Sequence, residues 1–501
     1  MYVTYFGLIA KPAWSLYAYV LIWMTVPKAF RLYYITGGLY DLPEGMTVFH
    51  ILELISVCGI VVALIRHRKK RPQLEKSESL KRFTWFFLCT GLISLVISFG
   101  FLALFFPMMR LTNLWNFINL HSELQYRILA ITSMAYGVIF VYGCVAFINE
   151  LKQVEVFLLL FLLLGIAMGC ESGLFYYLPL ISPSYSLFPS LAGWSVNQAT
   201  ERFMSLIFTN IDQVGLFSII AAGSAMYFAL SRKKSLLVLL PIVLMPVFAG
   251  YQRSVLLGVL TTWMFLYWNS TTGKKRVVYV CLAVVFLAGM YMVDSDLLLI
   301  NNIASELGGH TRLDYFSSET LDVRFGLQLR AIELFLYSFP FGVGPGMAAT
   351  AMNSPIRESM LGFAFPQVGD FSTAVYGQVA TGIKTTNSHN FFIEFTVENG
   401  LLGVLVLATF LFLLLRNFRD WLVAGRGSSS RDHRLFLVQA CVYSVLFGIG
   451  MHETFESTAF PYGIYFMFFY FTFLIPKLRR ENVAKIDTPP RVAVPALSGR
   501  W

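Results

Sequence analysis

Apolar segments long enough to cross a lipid bilayer recur along most of the sequence, and this feature limits the fold more than any other. The segments are rich in Leu, Phe, Val and Ile. They run for about 18–25 residues, the length at which an α-helix spans the hydrocarbon layer. Only 13% of the residues are charged, whereas soluble proteins carry about 25%. The chain is therefore predicted to be an all-α, polytopic integral membrane protein.

The apolar runs predict about twelve transmembrane helices. They cover residues 14–35, 48–66, 83–107, 127–148, 154–179, 204–230, 235–250, 254–270, 277–294, 391–415, 435–455 and 458–476. Pro241 and Pro246 interrupt the run at 235–250. Because proline removes a backbone hydrogen bond, this run is predicted to be a pair of half-helices.

Basic residues concentrate after even-numbered predicted helices, namely the second, sixth, eighth, tenth and last. Since Lys and Arg accumulate in cytoplasmic loops, both chain ends are predicted to be cytoplasmic. The net charge of +10 is thus spread over short loops. It indicates no nucleic-acid partner, because such a partner requires basic residues on one face.

The same topology places a long segment, residues 294–388, on the external side. Within it, residues 322–339 have apolar side chains at near-helical spacing, which predicts an amphipathic helix near the membrane surface. The predicted regions are 1–203 (N-terminal helices), 204–294 (central helices), 295–388 (external loop), 389–480 (C-terminal helices) and 481–501 (a Pro-rich, disordered cytoplasmic tail).

Three residues with reactive or charged side chains are predicted to lie at the external face. Arg253 begins the eighth predicted helix, Arg324 lies in the amphipathic helix, and His389 ends the long loop. Two arginines bind a diphosphate through charge-assisted hydrogen bonds, and a histidine accepts a proton from a hydroxyl. Interfacial arginines also act as membrane anchors and a lone histidine as a structural hydrogen-bonder. A site for group transfer is therefore predicted only if the three residues meet.

Further polar residues are predicted to support this site. Glu394 and Glu398 share one face of the tenth predicted helix, just after Asn390. Asp212 lies in the sixth predicted helix, and His452 at the external end of the eleventh. Ionisable groups in apolar helices are costly unless they face a cavity or partners. Pairing with a basic residue or bracing between helices are the structural alternatives. No metal-ligand spacing is present, so no metal or cofactor is predicted.

At this point the sequence resembles the superfamily of O-antigen ligases and O-antigen polymerases. Residues 388–403 begin Ser-His-Asn and continue with Glu398, Gly400 and Gly403. This pattern is similar to the family's His-Asn…Glu-x-Gly-x-x-Gly signature. Residues 340–346 resemble the Gly-x-Gly-x-Gly turn that precedes the family's histidine.

Two further motifs extend the resemblance over roughly residues 204–420. Arg324 matches the family's loop arginine, and Arg253-Ser254 is similar to its Ser-x-Arg motif at the external start of a helix. Tyr251 and Gln252 stand where the family usually has small residues. The first 200 residues carry no motif of the family.

The resemblance implies a GT-C-like helical fold with a large periplasmic loop in the bacterial inner membrane. It implies a metal-independent, inverting transfer of a glycan from undecaprenyl diphosphate to an acceptor hydroxyl on the periplasmic side. Arg253 and Arg324 would bind the diphosphate. His389 and Glu398 would form the catalytic pair, His389 as the base and Glu398 as its support. The motifs fit both a polymerase, whose acceptor is another lipid-linked glycan, and a ligase to lipid A-core.

A transporter or flippase of lipid-linked oligosaccharide is the alternative function. Twelve helices with both ends in the cytoplasm also suit many carriers. A carrier is expected to show two similar halves and charged residues near the middle of several helices. The sequence shows no internal repeat, and its candidate groups are predicted to gather at the external face.

Overall fold

The computed structural model describes residues 11–25, 48–67, 78–105, 120–178, 196–197, 202–203, 205, 211–250, 253–270, 318–348, 390–425, 430–455 and 462–487. The α-helices in these ranges are α1 (Ala13–Thr25), α2 (Val48–Arg66), α3 (Glu78–Phe105), α4 (Leu120–Phe147), α5 (Leu151–Ser172), α6 (Ile211–Ser231), α7 (Leu239–Gly250), α8 (Arg253–Ser270), α9 (Ser318–Ser338), α10 (Phe391–Ala424), α11 (Ser430–Phe455) and α12 (Tyr462–Asp487).

Other secondary structure in the described residues is short. A π-helical turn, Gly173–Tyr177, extends α5, and a 3₁₀ helix, Lys234–Val238, precedes α7. Strands β1 (Val196–Asn197) and β2 (Arg202–Phe203) form a two-residue antiparallel pair. The prolines do not divide residues 235–250 into two half-helices as predicted, because α7 runs continuously past Pro241, in its first turn, and Pro246; a 3₁₀ helix precedes it instead.

Six helical segments among the described residues are long and apolar enough to cross a membrane: Glu78–Ile97, Ala130–Phe147, Leu151–Tyr177, Gln213–Ser231, Phe391–Ala424 and Asp432–Thr454. Every predicted transmembrane segment except 277–294, which lies outside the described residues, coincides at least in part with a helix. The all-α, multi-pass membrane architecture is therefore confirmed. The number of twelve membrane crossings stays a prediction.

The centre of the bundle is the pair α8 and α11, which pack most closely through small residues. The hydroxyl of Thr262 donates to the carbonyl of Gly258 on its own helix, and it lies 3.2 Å from the carbonyl of Ser444 on α11. A Cβ at Gly448 would lie 2.5 Å from the Gly258 carbonyl oxygen. Small residues let two helix backbones approach closely, as is common between membrane helices. This packing brings the start of α8 to the end of α11.

An ion cluster around the buried carboxylate of Glu155 lies where α11 begins, and we call this end of the bundle the basic end. Both oxygens of the Glu155 carboxylate accept hydrogen bonds from Arg434, at 2.7 and 2.6 Å. Arg232 lies 3.7 Å from the same carboxylate, and Tyr227 donates its hydroxyl to it. Arg232 and Arg434 belong to two different basic loops of the sequence. These loops therefore lie at the same end of the bundle, as the predicted topology requires.

Helix α9 confirms the helix predicted over residues 322–339. Some of its polar side chains are buried and paired instead of facing solvent. Arg330 and Glu333 form an ion pair, with 3.3 Å between Nη1 and Oε2, and both are buried. The apolar Leu327 and Leu334 pack against Val397 of α10. Part of the polar surface of α9 thus faces protein, because α10 covers it. Whether the helix lies near the membrane surface stays a prediction.

Helix α12 continues to Asp487 and so includes the first seven residues of the tail that was predicted to be disordered from residue 481. Residues 481–487 contain helix-compatible residues such as Glu481, Ala484 and Lys485, and Pro489 follows soon after. A helix usually ends before a proline, because the proline ring restricts the residue preceding it. The rest of the predicted tail, 488–501, lies outside the described residues.

Candidate active site

Several predicted site residues are described only in part. Arg253, Arg324 and Asp212 belong to α8, α9 and α6, and their side chains lie outside the described residues, as does the whole of His389. Sequence neighbours of three of these residues, namely Ser254, Gln328 and Asn390, are described with their side chains. The structure also describes the side chains of Glu394, Glu398 and His452.

The last turn of α11 contacts three segments that are far apart in the sequence. His452 is fully buried, and its Nδ1 atom shares a hydrogen bond of 3.1 Å with the hydroxyl of Ser254 on α8. The Thr454 carbonyl accepts a hydrogen bond of 2.9 Å from the side-chain amide of Asn390. The same carbonyl lies 3.3 Å from the donating side-chain amide of Gln328 on α9. We call this end of the bundle the site end.

Each contacting residue lies beside one of the three predicted functional residues. Arg253 directly precedes Ser254, Arg324 comes four residues before Gln328, and His389 directly precedes Asn390. Four residues along an α-helix correspond to about one turn. The segments that carry both arginines and the histidine therefore meet at one turn of α11. The contacts between these three side chains and a substrate stay predictions.

Asn390 fixes the point at which α10 begins. Its side-chain oxygen accepts a hydrogen bond of 3.0 Å from the backbone N–H of Ile393, as an N-cap residue does. Its side-chain nitrogen is the group that donates to Thr454. One buried amide therefore starts the helix and also ties that start to α11. The position at which α10 begins, directly after His389 in the sequence, is thereby fixed at the site end.

Three carboxylates gather around Tyr462, the first residue of α12. The tyrosine lies within electrostatic range of Glu394, Glu398 and Glu453, and Glu453 is fully buried. Glu394 and Glu398 also lie within electrostatic range of each other, as their spacing of one helical turn predicts. Like charges repel in a region of low dielectric constant, so this grouping costs stability. Acidic residues grouped in this way are suited to holding cationic side chains or hydroxyl groups.

Arg127 brings a positive charge to these carboxylates. It lies on α4, is only 1% exposed, and is within electrostatic range of Glu398. A buried guanidinium is stabilised by nearby carboxylates and in turn stabilises their charged form. The pairing of Glu398 with a basic residue, one of the structural alternatives considered above, thus has a candidate partner in Arg127.

The Gly-rich turn at residues 340–346 packs directly against Glu398. The backbone N–H of Gly344 donates to the Glu398 carbonyl at 2.9 Å, and the N–H of Ala348 lies 3.4 Å from its Oε1 atom. The two motifs of the sequence are therefore in contact, although 52 residues separate Gly346 from Glu398.

Sequence reasoning did not single out three residues of this site: Arg127, Gln328 and Tyr462. Arg127 carried a usable signal, because arginine is rare at the start of an apolar helix except as an anchor or a functional group. Gln328 carried none, since glutamine is common at such positions and only its contact distinguishes it. Ser254 was noted as part of the Arg253-Ser254 motif, but its contact with His452 was not predicted. The proposed role of Asp212 stays a prediction, because its side chain lies outside the described residues.

Residues 236–408 match the family model described as O-antigen ligase. The matched segment covers less than half of the chain and runs from the 3₁₀ helix before α7 into the middle of α10. The match confirms the resemblance to the O-antigen ligase and polymerase superfamily, and it supports glycosyl transfer as the class of activity. No curated protein and no solved structure matches the chain. The last turn of α11 lies outside the matched segment.

Proposed function

We propose, with the O-antigen ligase match over residues 236–408 as the premise, that this chain is an inner-membrane glycosyltransferase. It moves a glycan from an undecaprenyl-diphosphate-linked donor to an acceptor hydroxyl on the periplasmic side. The acceptor belongs either to another lipid-linked glycan or to lipid A-core. The fold proposed for this function is GT-C-like, with about twelve transmembrane helices and a periplasmic loop around α9.

The observation that carries this proposal is the meeting of three segments at the last turn of α11. Group transfer from a diphosphate requires cationic groups and a base within the reach of one substrate. The contacts of Ser254, Gln328 and Asn390 with this turn bring together the segments that hold Arg253, Arg324 and His389.

In the proposed mechanism the bond between the anomeric carbon and the diphosphate oxygen breaks, and a bond from the acceptor oxygen to that carbon forms. His389 takes the proton of the acceptor hydroxyl. Arg253 and Arg324 bind the diphosphate and offset the negative charge that develops as it leaves. Glu398 supports the arrangement from α10. Attack from the face opposite the leaving group inverts the anomeric carbon, and no metal ion is required.

The test uses the purified full-length protein in proteoliposomes with a lipid-diphosphate-linked glycan. Product is measured with and without added lipid A-core, which separates a ligase from a polymerase. We expect His389→Ala to lower the rate by about 10²–10⁴-fold, the usual contribution of a general base. Arg253→Ala and Arg324→Ala are expected to raise the KM for the donor as well.

Two exposed residues provide matched controls at the other end of the bundle. His433→Ala and Arg419→Ala remove the same side-chain types from exposed positions on α11 and α10 and should leave transfer unchanged. Full activity of His389→Ala would contradict the proposed base. Movement of the labelled donor across the vesicle membrane without any transfer product would instead favour the transporter.

A further inference from the structure

Helix α10 is interrupted at Gly400, inside the segment that is apolar enough to cross a membrane. Gly400 has φ 58° and ψ −142°, which no residue of an α-helix adopts. A break of this kind removes the helical hydrogen bonds of the groups around it. In lipid, such groups must be satisfied by other parts of the protein.

Residues 340–344 supply the missing partners at this break. The N–H of Val343 donates to the carbonyl of Val397, and the N–H of Gly344 donates to that of Glu398, both at 2.9 Å. In the other direction, the N–H of Leu401 donates to the Pro340 carbonyl at 2.8 Å. We call residues 340–344 together with residues 397–401 the Gly400 junction.

The junction requires glycine at two positions, one on each side. Gly342 has φ 81°, and a Cβ there would lie 2.5 Å from both the Glu398 oxygen and the Gly400 nitrogen. A Cβ at Gly400 would lie 2.2 Å from the Pro340 oxygen. All of these obstacles are backbone atoms, which cannot move aside as a flexible side chain does. A side chain at either position would therefore push residues 340–344 and residues 397–401 apart.

The junction also connects Glu398 rigidly to the helix that carries Arg324. The carbonyl of Ser338, the last residue of α9, accepts hydrogen bonds from the N–H groups of Phe341 and Gly342 at 2.9 and 3.0 Å. Ala348, whose N–H lies 3.4 Å from Glu398 Oε1, is buried with Val397 and residues of α9 in one small apolar cluster. Backbone and carboxylate of Glu398 are thus both contacted by the segment that follows α9.

We propose that the Gly400 junction positions the Glu398 carboxylate for glycosyl transfer, with Gly342 and Gly400 as positioning residues. This inference rests on the proposed function. Neither glycine contacts the substrate in this proposal. Each acts through Glu398, by fixing where α10 breaks and how far this carboxylate lies from the end of α9.

The first test compares Gly342→Ala with Gly425→Ala. Both glycines have a positive φ, 81° and 61°, but a Cβ at Gly425 would meet nothing within 4 Å. The two variants therefore share the backbone strain, and only the first disturbs the junction. We expect Gly342→Ala to lower kcat at least tenfold per folded molecule and Gly425→Ala to change it less than twofold. Equal effects of the two variants would overturn the proposal.

A double-mutant cycle with Glu398→Gln separates positioning from general damage. If the junction acts through the Glu398 carboxylate, Gly342→Ala should lower kcat less than twofold once that carboxylate is absent. A merely structural role predicts the same tenfold loss in both backgrounds. The fraction of folded protein, measured by size-exclusion chromatography and thermal unfolding in detergent, is used to normalise each rate.

Hydrogen exchange measured by mass spectrometry tests the junction without any substrate. The N–H groups of Val343, Gly344 and Leu401 should exchange slowly in the wild type and in Gly425→Ala, and together become fast in Gly400→Ala. Fast exchange in the wild type would overturn the inference even if transfer is observed. If the wild type transfers no glycan, the proposed function fails, and with it the role in transfer. Slow exchange would then still identify the junction as a fixed structural element.

Discussion

The polar clusters at the two ends of α11 differ in the charges that they bring together. Arg434 at the basic end and His452 at the site end are 18 residues apart, which is about 27 Å along a helix and close to the thickness of the hydrocarbon layer. At the basic end, one carboxylate, that of Glu155, is bound by two arginines and a tyrosine. At the site end, three carboxylates lie around one tyrosine.

This difference in charge indicates that the basic end has a structural role and the site end a functional one. The basic end joins α5, α6 and α11 through opposite charges, an arrangement that holds helices together. The site end brings three carboxylates close to one tyrosine, with the buried Arg127 near Glu398, and such clusters of ionisable groups are typical of functional sites. Changes at the basic end are therefore expected to lower stability with little effect on transfer, and changes at the site end the reverse.

Among the changes that test this comparison, the largest effect is expected from Glu398→Gln, which we predict to lower transfer about 100-fold, or roughly 2.7 kcal/mol in activation free energy. The unfolding temperature should change little, because the neutral amide removes both the repulsion with Glu394 and the attraction to the buried Arg127. Steady-state kinetics and thermal unfolding of the same preparation measure both quantities. A large fall in the unfolding temperature of Glu398→Gln would contradict the comparison, because it would give Glu398 the structural role expected of Glu155.

Arg434→Ala is expected to produce the opposite result. It removes both hydrogen bonds to Glu155 and should lower the free energy of unfolding by about 2 kcal/mol, less than for a fully buried pair, because the Arg434 side chain is 40% exposed. Transfer per folded molecule should remain at the wild-type level. Arg434→Lys keeps the charge and should recover part of the stability. Loss of transfer at unchanged stability would contradict the comparison.

Arg127→Gln tests whether the first half of the chain contributes to the site. We predict a fall in kcat of about tenfold, roughly 1.4 kcal/mol, because the buried charge near Glu398 is lost. Arg127→Lys should restore most of the rate. Arg82→Gln, which removes an exposed arginine of α3, serves as the control. An equal loss in the lysine variant would argue for packing rather than charge.

The smallest effect is expected from Ser254→Ala. This change removes the hydroxyl that bonds His452 next to Arg253, and a hydrogen bond is typically worth about 1 kcal/mol. We predict a rise of about fivefold in the KM for the lipid-linked donor at unchanged kcat. Thr261 lies on the same helix, and among the described residues its hydroxyl donates to the Leu257 carbonyl, one turn earlier. Thr261→Ala should therefore leave the KM unchanged. A lower kcat with an unchanged KM would instead indicate that Ser254 supports proton transfer by His389 and not donor binding.

Much of the architecture was predictable because the bilayer imposes it on local sequence. The apolar runs locate the helices, since a chain in lipid must satisfy its backbone within each segment. Asn390 marks the start of α10 through its capping side chain, and the basic loops at Arg232 and Arg434 do share one end. The motifs at residues 340–346 and 388–403 were also predictable from the sequence, and the family match includes both of them.

Contacts between distant segments were not predictable in the same way. No local pattern indicates that residues 340–344 complete the break at Gly400, or that Arg127 lies near Glu398. The end of α12 was also misplaced, because the helix continues through residues 481–487.

The sequence by itself determined that this is a helical membrane protein with an O-antigen ligase-like segment, because hydrophobic length and ordered motifs are local properties. Only the tertiary structure decided that the last turn of α11 gathers the segments of Arg253, Arg324 and His389. Such convergence depends on how helices pack, and packing is a property of pairs of surfaces that one stretch of sequence does not encode.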